Sequence, residues 1–273
     1  MIPTPELHRE AATQRLRFDQ VEKDYVILWV LKAVAASWAD SPEWIFKGGT
    51  CLRHCYYPGY RFSEDIDFSC HNGSDNVNRS VQRLKLAALQ AQNESGLTLA
   101  PKPAKWSAGQ EQLEIGIEYS RGGARRQALP AVLVHLTFDE PILAPIAMRD
   151  VTPPYSDLEA FSVACYSKLE IVAEKLRALL QQQEKWPRPR DLYDLWFILC
   201  QQREPVPTKQ LRELFEAKCA VRGIASDPRR LVSVDLREWN RGAWNTQLLP
   251  TLDHGPDYDR VWSDWTALCP TIL

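Results

Sequence analysis

Between Asp19 and Ser37, apolar residues fall at Val21, Tyr25, Val26, Leu28, Trp29, Leu31, Val34 and Ala35, a spacing that predicts an amphipathic to largely buried helix. The polar stretch before it, residues 3–17, reads as a further helix. At Trp44 to Phe46 the pattern changes to a short apolar, β-prone run, a strand that the buried helix would back. Asp65-Ile66-Asp67-Phe68 alternates with period two and predicts a second strand, with both aspartates on one face. A polar turn from His71 to Asp75 leads to a helix over 75–94, with Val77, Val81, Leu84, Ala88 and Leu89 on one side. Strands follow at 113–119 and 131–138, separated by a basic, Gly-containing loop at 121–126. Pro141, Pro145, Pro153 and Pro154 mark a connection, which places a sub-domain boundary near Pro154. Beyond it come one last strand at 161–165, helices over 166–183, 190–202 and 207–219, and shorter pieces after Ser226. The expected fold is therefore α+β: a mixed sheet backed by helices in 1–154, then a helix-rich unit in 155–273.

Composition narrows this picture without changing it. A chain of 273 residues is long enough for a well-buried core and two sub-domains. The net charge of −2 excludes a globally basic nucleic-acid binder, so any nucleic acid must meet a local patch. Seven cysteines with no Cys-x-x-Cys read as reduced, mostly buried thiols of a cytoplasmic protein. Cys51 and Cys55 lie one helical turn apart, but a zinc site needs clustered ligands and the sequence displays none. Ten tryptophans raise the question of core against partner surface. Neither a signal peptide nor an apolar run of membrane-spanning length is indicated.

The chemistry concentrates in Lys47-Gly48-Gly49-Thr50-Cys51-Leu52 and in Arg61-Phe62-Ser63-Glu64-Asp65-Ile66-Asp67-Phe68. Gly48 and Gly49 break the first strand and let the backbone approach a ligand. Thr50 is placed to N-cap the short helix that carries Leu52 and Tyr56. Asp65 and Asp67 on one strand face call for a cation between them. Mg²⁺ suits that pair, being held by one or two carboxylates together with substrate phosphates. Backbone N–H groups of the glycine turn are suited to those phosphates. Either motif alone is common in turns or on solvent faces; their order, with Ile66 and Phe68 covering the other strand face, is what points to a nucleotide site.

Gly-Gly-Thr followed by Arg-x-Ser-x-Asp-Ile-Asp-Phe resembles the nucleotidyltransferase signature of the AbiEii/AbiGii toxin family, within the DNA polymerase β-like superfamily. Two later blocks, Ala173-Glu174-Lys175-Leu176-Arg177-Ala178-Leu179 and Arg190-Asp191-Leu192-Tyr193-Asp194-Leu195, look like that family's second and third motifs and keep its order. On pattern alone Lys175 reads as a solvated helix charge, and Asp191 as an acid favoured by a helix N-terminus. The resemblance implies instead that Lys175 contacts the nucleotide phosphates and that Asp191 is the acid needed for transfer. It places the side chains of Thr50 and Ser63 near the triphosphate. Lys168, seven residues before Lys175, and Asp194, three after Asp191, join the nucleotide-binding set because each shares its neighbour's helix face. One departure stands out. Where the superfamily carries a third carboxylate on a later strand, the aligned residue is His135; Asp139 lies on the same face but about 13 Å further along.

The resemblance thus implies a nucleotidyltransferase-like fold whose helical second unit completes the active site, and an Mg²⁺-dependent enzyme. It would move a nucleoside monophosphate from an NTP to an acceptor hydroxyl, with a tRNA 3′ end as acceptor. The protein would be the toxin of a toxin–antitoxin pair in phage defence, with a winged-helix antitoxin as partner. Two alternatives stay open on the sequence: an NTP-binding module that acts without transfer, favoured by His135, and an AMP-transferring enzyme of the same fold that modifies proteins. Basic clusters at Arg121, Arg125 and Arg126, and at Arg177, Lys185, Arg188 and Arg190, are the expected guides for a polyanionic acceptor.

Overall fold

Helix α1 (Thr4–Gln14) leads into α2 (Phe18–Ala36), whose residues Val21 to Leu31 are almost all buried, as the apolar spacing requires. The computed structural model describes residues 1–37, 42–70, 77–107, 112–122, 128–181 and 186–273. After α2 come β1 (Trp44–Lys47), α3 (Gly48–Cys51), which runs on as a π-helical turn over Leu52–Tyr56, and β2 (Asp65–Cys70). Helix α4 (Val77–Ser95) precedes β3 (Thr98–Pro101), β4 (Lys105–Trp106), β5 (Leu113–Ser120), β6 (Ala131–Thr137), β7 (Ala147–Val151) and β8 (Phe161–Cys165). Among the described residues these strands form one mixed sheet in the order β3-β5-β6-β2-β1-β8-β7, with β4 on β5. Strands β3, β4 and β7 escaped the periodicity: β3 and β4 are only four and two residues long, and Ala147-Met148-Arg149-Asp150-Val151 of β7 has no apolar–polar alternation. The polar turn expected over 71–75 and most of the basic loop expected at 121–126 fall outside the described residues.

The sheet is built around the hairpin-like pair β1–β2, which is antiparallel with Lys47 opposite Asp67. Strand β6 runs parallel to β2 and β8 parallel to β1. Helix α2 packs against this centre, on β2, β6 and β8. Its Asp24, almost fully buried, accepts from Arg53 Nε at 3.2 Å, lies 3.1 Å from His54 Nε2 and accepts from Tyr155 Oη at 2.9 Å. Burial opposes that charge, but His54 and Arg53 outweigh it and hold the Asp24 carboxyl well below the usual carboxylate range. Arg53 and His54 sit on the turn that continues α3, so this network fixes the motif helix to α2.

The chain divides into two compact units, Met1–Ile142 with Ile146–Tyr166, and Leu143–Pro145 with Ser167–Leu273. The division therefore falls later than the prolines suggested. Strand β8, which follows Pro154, pairs with both β1 and β7 and so belongs to the sheet. The second unit contains α5 (Lys168–Gln181), α6 (Pro189–Trp196), continued by a π turn at Phe197–Gln201, α7 (Thr208–Val221), α8 (Val234–Ala243) and α9 (Tyr258–Ile272). The last helix corrects the expectation of only short pieces after Ser226. It is stabilised by Asp257, whose carboxylate caps the N–H groups of Asp259 and Arg260, and by burial of Val261 and Trp265. Within this unit Glu170 and Lys218, both fully buried, pair at 2.7 Å, and Glu170 also accepts the N–H groups of Leu143 and Ala144. Most described tryptophans are core, with Trp106, Trp186 and Trp239 the exposed ones. Among the described residues no helix is long and apolar enough to cross a membrane.

Candidate active site

The glycine turn and the two aspartates are in direct apposition. Gly48 has φ +79°, and a Cβ there would clash with the Asp67 carboxylate, so only glycine lets β1 turn beneath that group. A Cβ at Gly49 would stand 2.8 Å from Arg61 Nη2 and 2.9 Å from Ser63 Oγ. The Thr50 hydroxyl donates to the Asp65 carbonyl. Gly48, Gly49, Thr50, Ser63, Asp65 and Asp67 are thus brought together in one place. Thr50 is not the helix cap. The helix already begins at Gly48, and the hydroxyl is spent on tying α3 to β2.

Strand register extends the site sideways. Asp67 lies opposite His135 in the β2–β6 ladder, and His135 opposite Glu114 in the β6–β5 ladder. His135 Nδ1 is 3.0 Å from Asp67 Oδ1 and its Nε2 is 3.5 Å from Glu114 Oε2. Burial disfavours a charge on this imidazole, but the hydrogen bond and charge of Asp67, then Asp65 and Glu114, outweigh it and raise its pKa to about 9. Asp65 is pushed the other way for a carboxyl: burial first, then the Asp67 charge, raise it to about 6. Strand β6 ends at Thr137, so Asp139 lies beyond it. Two adjacent carboxylates, with the Asp67 charge opposing ionisation of Asp65, are an all-oxygen donor set, which fits a hard divalent cation such as Mg²⁺. His135 supplies positive charge to the same pair.

In the second unit Lys175 is buried, with Nζ 2.7 Å from Asp191 Oδ1 and 2.6 Å from Asp194 Oδ2. That geometry rules out a solvated helix charge. Asp191 does lie in the first turn of α6, as its position suggested, and Arg188 Nη1 reaches its other oxygen at 3.5 Å. Lys168 does not join this group: its ammonium pairs with Glu204. The basic clusters are also largely engaged. Arg121 donates to Ile2 O and Thr4 Oγ1, Arg190 to Gln247 O, and Arg177 is buried against Glu174 and Gln181. Arg125, Arg126 and Lys185 lie outside the described residues. Two neighbours of the site received no role from the sequence. Arg61 was legible as part of the motif, and Glu114 as a polar position in the alternating strand Leu113–Ser120; only the ladders put Glu114 beside His135.

Solved structures share the overall fold of this chain. JHP933 from Helicobacter pylori superposes with a TM-score of 0.58 at 18% identity, covering 94% of this chain and 93% of that one. A putative nucleotidyltransferase from H. pylori gives 0.58 at 20% identity, with 94% and 96% covered. MenT4, a nucleotidyltransferase toxin from Mycobacterium tuberculosis H37Rv, gives 0.62 at 15% identity, with 100% and 97% covered. No curated protein matches the chain in sequence. Residues 29–268 match the family described as nucleotidyl transferase AbiEii toxin, type IV toxin–antitoxin system, and the chain belongs to that family. It is a nucleotidyltransferase, with a nucleoside triphosphate as substrate and an antitoxin implied by its toxin–antitoxin family.

Proposed function

We propose that the protein moves a nucleoside monophosphate from an NTP to the hydroxyl of a tRNA 3′ end, with Mg²⁺ held by Asp65 and Asp67, and that this transfer is the toxic step of a phage-defence system. The observation that carries the reading is the apposition of Asp67 to the Gly48 turn, with Asp65 two residues away on the same strand. Mg²⁺ bound there would polarise phosphate oxygens and orient them for displacement. The N–H groups of the glycine turn and the hydroxyl of Ser63 hold the β- and γ-phosphates, Thr50 serves them by tying α3 to β2, and Arg61, over Gly49, adds fixed positive charge. By the family likeness Lys175 would bind phosphate oxygens and Asp191 would accept the proton of the attacking hydroxyl, while within the second unit Asp194 holds Lys175 in place. The pairing of Lys168 with Glu204 leaves its part in nucleotide binding resting on the family likeness.

The test is direct: incubate the protein with Mg²⁺, each labelled NTP in turn, and total tRNA or total cell protein. Label on tRNA that chelation of Mg²⁺ abolishes is the expected result. Label on protein alone would transfer the reading to a protein-modifying enzyme, and transfer indifferent to chelation would remove the metal from it. Growth arrest on expression, relieved by the winged-helix antitoxin, is the expected cellular counterpart.

A further inference from the structure

Three thiols meet beside the glycine turn without entering the chemistry above. Cys51 follows Thr50 on α3, Cys55 lies one turn later, and Cys165 ends β8, where its ladder partner is Phe46 of β1. Their sulfur atoms all lie within 4.8 Å of one another. Cys51 and Cys165 are fully buried, while Cys55 is half-buried and gives the cluster a side open to entry. Tyr56 Oη stands 3.7 Å from Cys165 Sγ while donating to Tyr166 O at 2.6 Å, and the Arg149 guanidinium lies 5.1 Å from the Tyr56 ring.

We propose that Cys51, Cys55 and Cys165 form a binding site for one soft, thiophilic d¹⁰ metal ion of the Zn²⁺ and Cu⁺ class, separate from the carboxylate site. Thiolates select such ions over Mg²⁺. With metal–sulfur bonds of about 2.3 Å, three sulfurs around one ion stand about 4 Å apart, so the thiols need to close by less than about 1 Å. A disulfide would need about 2 Å between two sulfurs and would leave the third thiol unused. The ion replaces thiol protons, which leave to solvent, and no electron is transferred. Cys55 is half-buried, so solvent can complete four-fold coordination for Zn²⁺; Cu⁺ needs only the three sulfurs. Because two ligands sit on the motif helix and one on β8, loading would staple α3 to the sheet.

The experiment uses the whole reduced protein, stripped by chelation and held in excess Mg²⁺ so that the carboxylates do not report. Cd²⁺ is titrated as a spectroscopic stand-in for Zn²⁺, followed by thiolate-to-metal charge-transfer absorption, and Zn²⁺ is then followed by thermal unfolding. One equivalent of Cd²⁺ with the absorption band, and a higher Tm with Zn²⁺, are expected. Cys165→Ser and Cys55→Ser should lose both responses, while Cys200→Ser, outside the cluster, keeps them. Cys55 is only half-buried, so Cys55→Ser provides a folded variant if Cys165→Ser does not fold. Absence of the band in the wild type, or its persistence in Cys55→Ser, would overturn the proposal, as would formation of a disulfide among these thiols in place of metal uptake.

Discussion

At Asp65 the sheet holds a carboxyl whose pKa of about 6 reflects burial and the charge of Asp67. A divalent cation bound there must displace its proton at lower pH. Mg²⁺ affinity measured by calorimetry should therefore fall by up to about tenfold per pH unit below about pH 6. An affinity flat between about pH 5 and about pH 7 would take Asp65 out of the cation site. Asp65→Ala and Asp67→Ala should abolish transfer with unchanged circular dichroism, and wild-type turnover in either would refute the assignment. His135 carries the opposite sign. Its pKa is raised from 6.5 to about 9, so its cation contributes stability that is complete below about pH 6.5 and lost as pH rises through about 9. Urea unfolding of the wild type should weaken over that window by on the order of 1–3 kcal/mol, and His135→Asn should remove this component. An identical pH slope in the variant would mean that another group is responsible.

At the scale of elements, two buried polar networks hold the motif-bearing helices. Asp24 joins α2 to the turn after α3, with side chains of Asp24 and Arg53 only 1% and 5% exposed. Asp24→Ala strands the Arg53 guanidinium in the interior and should cost about 3–5 kcal/mol in chemical denaturation, the range for breaking a buried pair. A loss within that of an ordinary surface substitution would deny the network its anchoring role. Lys175 joins α5 to α6 through Asp191 and Asp194 in the same way. Lys175→Ala should accordingly have two effects: a less stable fold, and NTP binding weaker by about 1–3 kcal/mol. Calorimetry on the folded variant separates them, because unchanged NTP affinity would leave Lys175 with packing alone.

For the whole molecule the controlling quantity is charge. A net charge of −2 gives no general attraction for a polyanion, so binding of the proposed tRNA acceptor would rest on local arginines. Arg177 is withdrawn from that role by burial, whereas the Arg188 side chain is 41% exposed and also touches Asp191. Replacing Arg188 and Arg190 together by Glu should lower tRNA affinity and flatten its dependence on salt, since fewer counterions are released on binding. NTP affinity, measured alongside, should change less. Equal tRNA affinity and equal salt slope in wild type and variant would place the acceptor elsewhere.

The sequence by itself determined the elements whose signals are local. The buried spacing of α2, the alternation in β2 and β5, and the glycine break after β1 each follow from side chains a few residues apart, and with them the pairing of Asp65 and Asp67 on one face. Register and packing decided the rest. That His135 faces Asp67, and Glu114 faces His135, depends on how β6 lies between β2 and β5, which no single strand encodes. Lys168 and Lys175 are two turns apart on one helix, yet only the placement of Glu204, Asp191 and Asp194 sends them to different partners. Cys165 lies more than a hundred residues from Cys51 and Cys55 in the chain. The parallel pairing of β8 with β1 closes that separation, because backbone hydrogen bonding across the sheet brings together residues regardless of their distance in sequence.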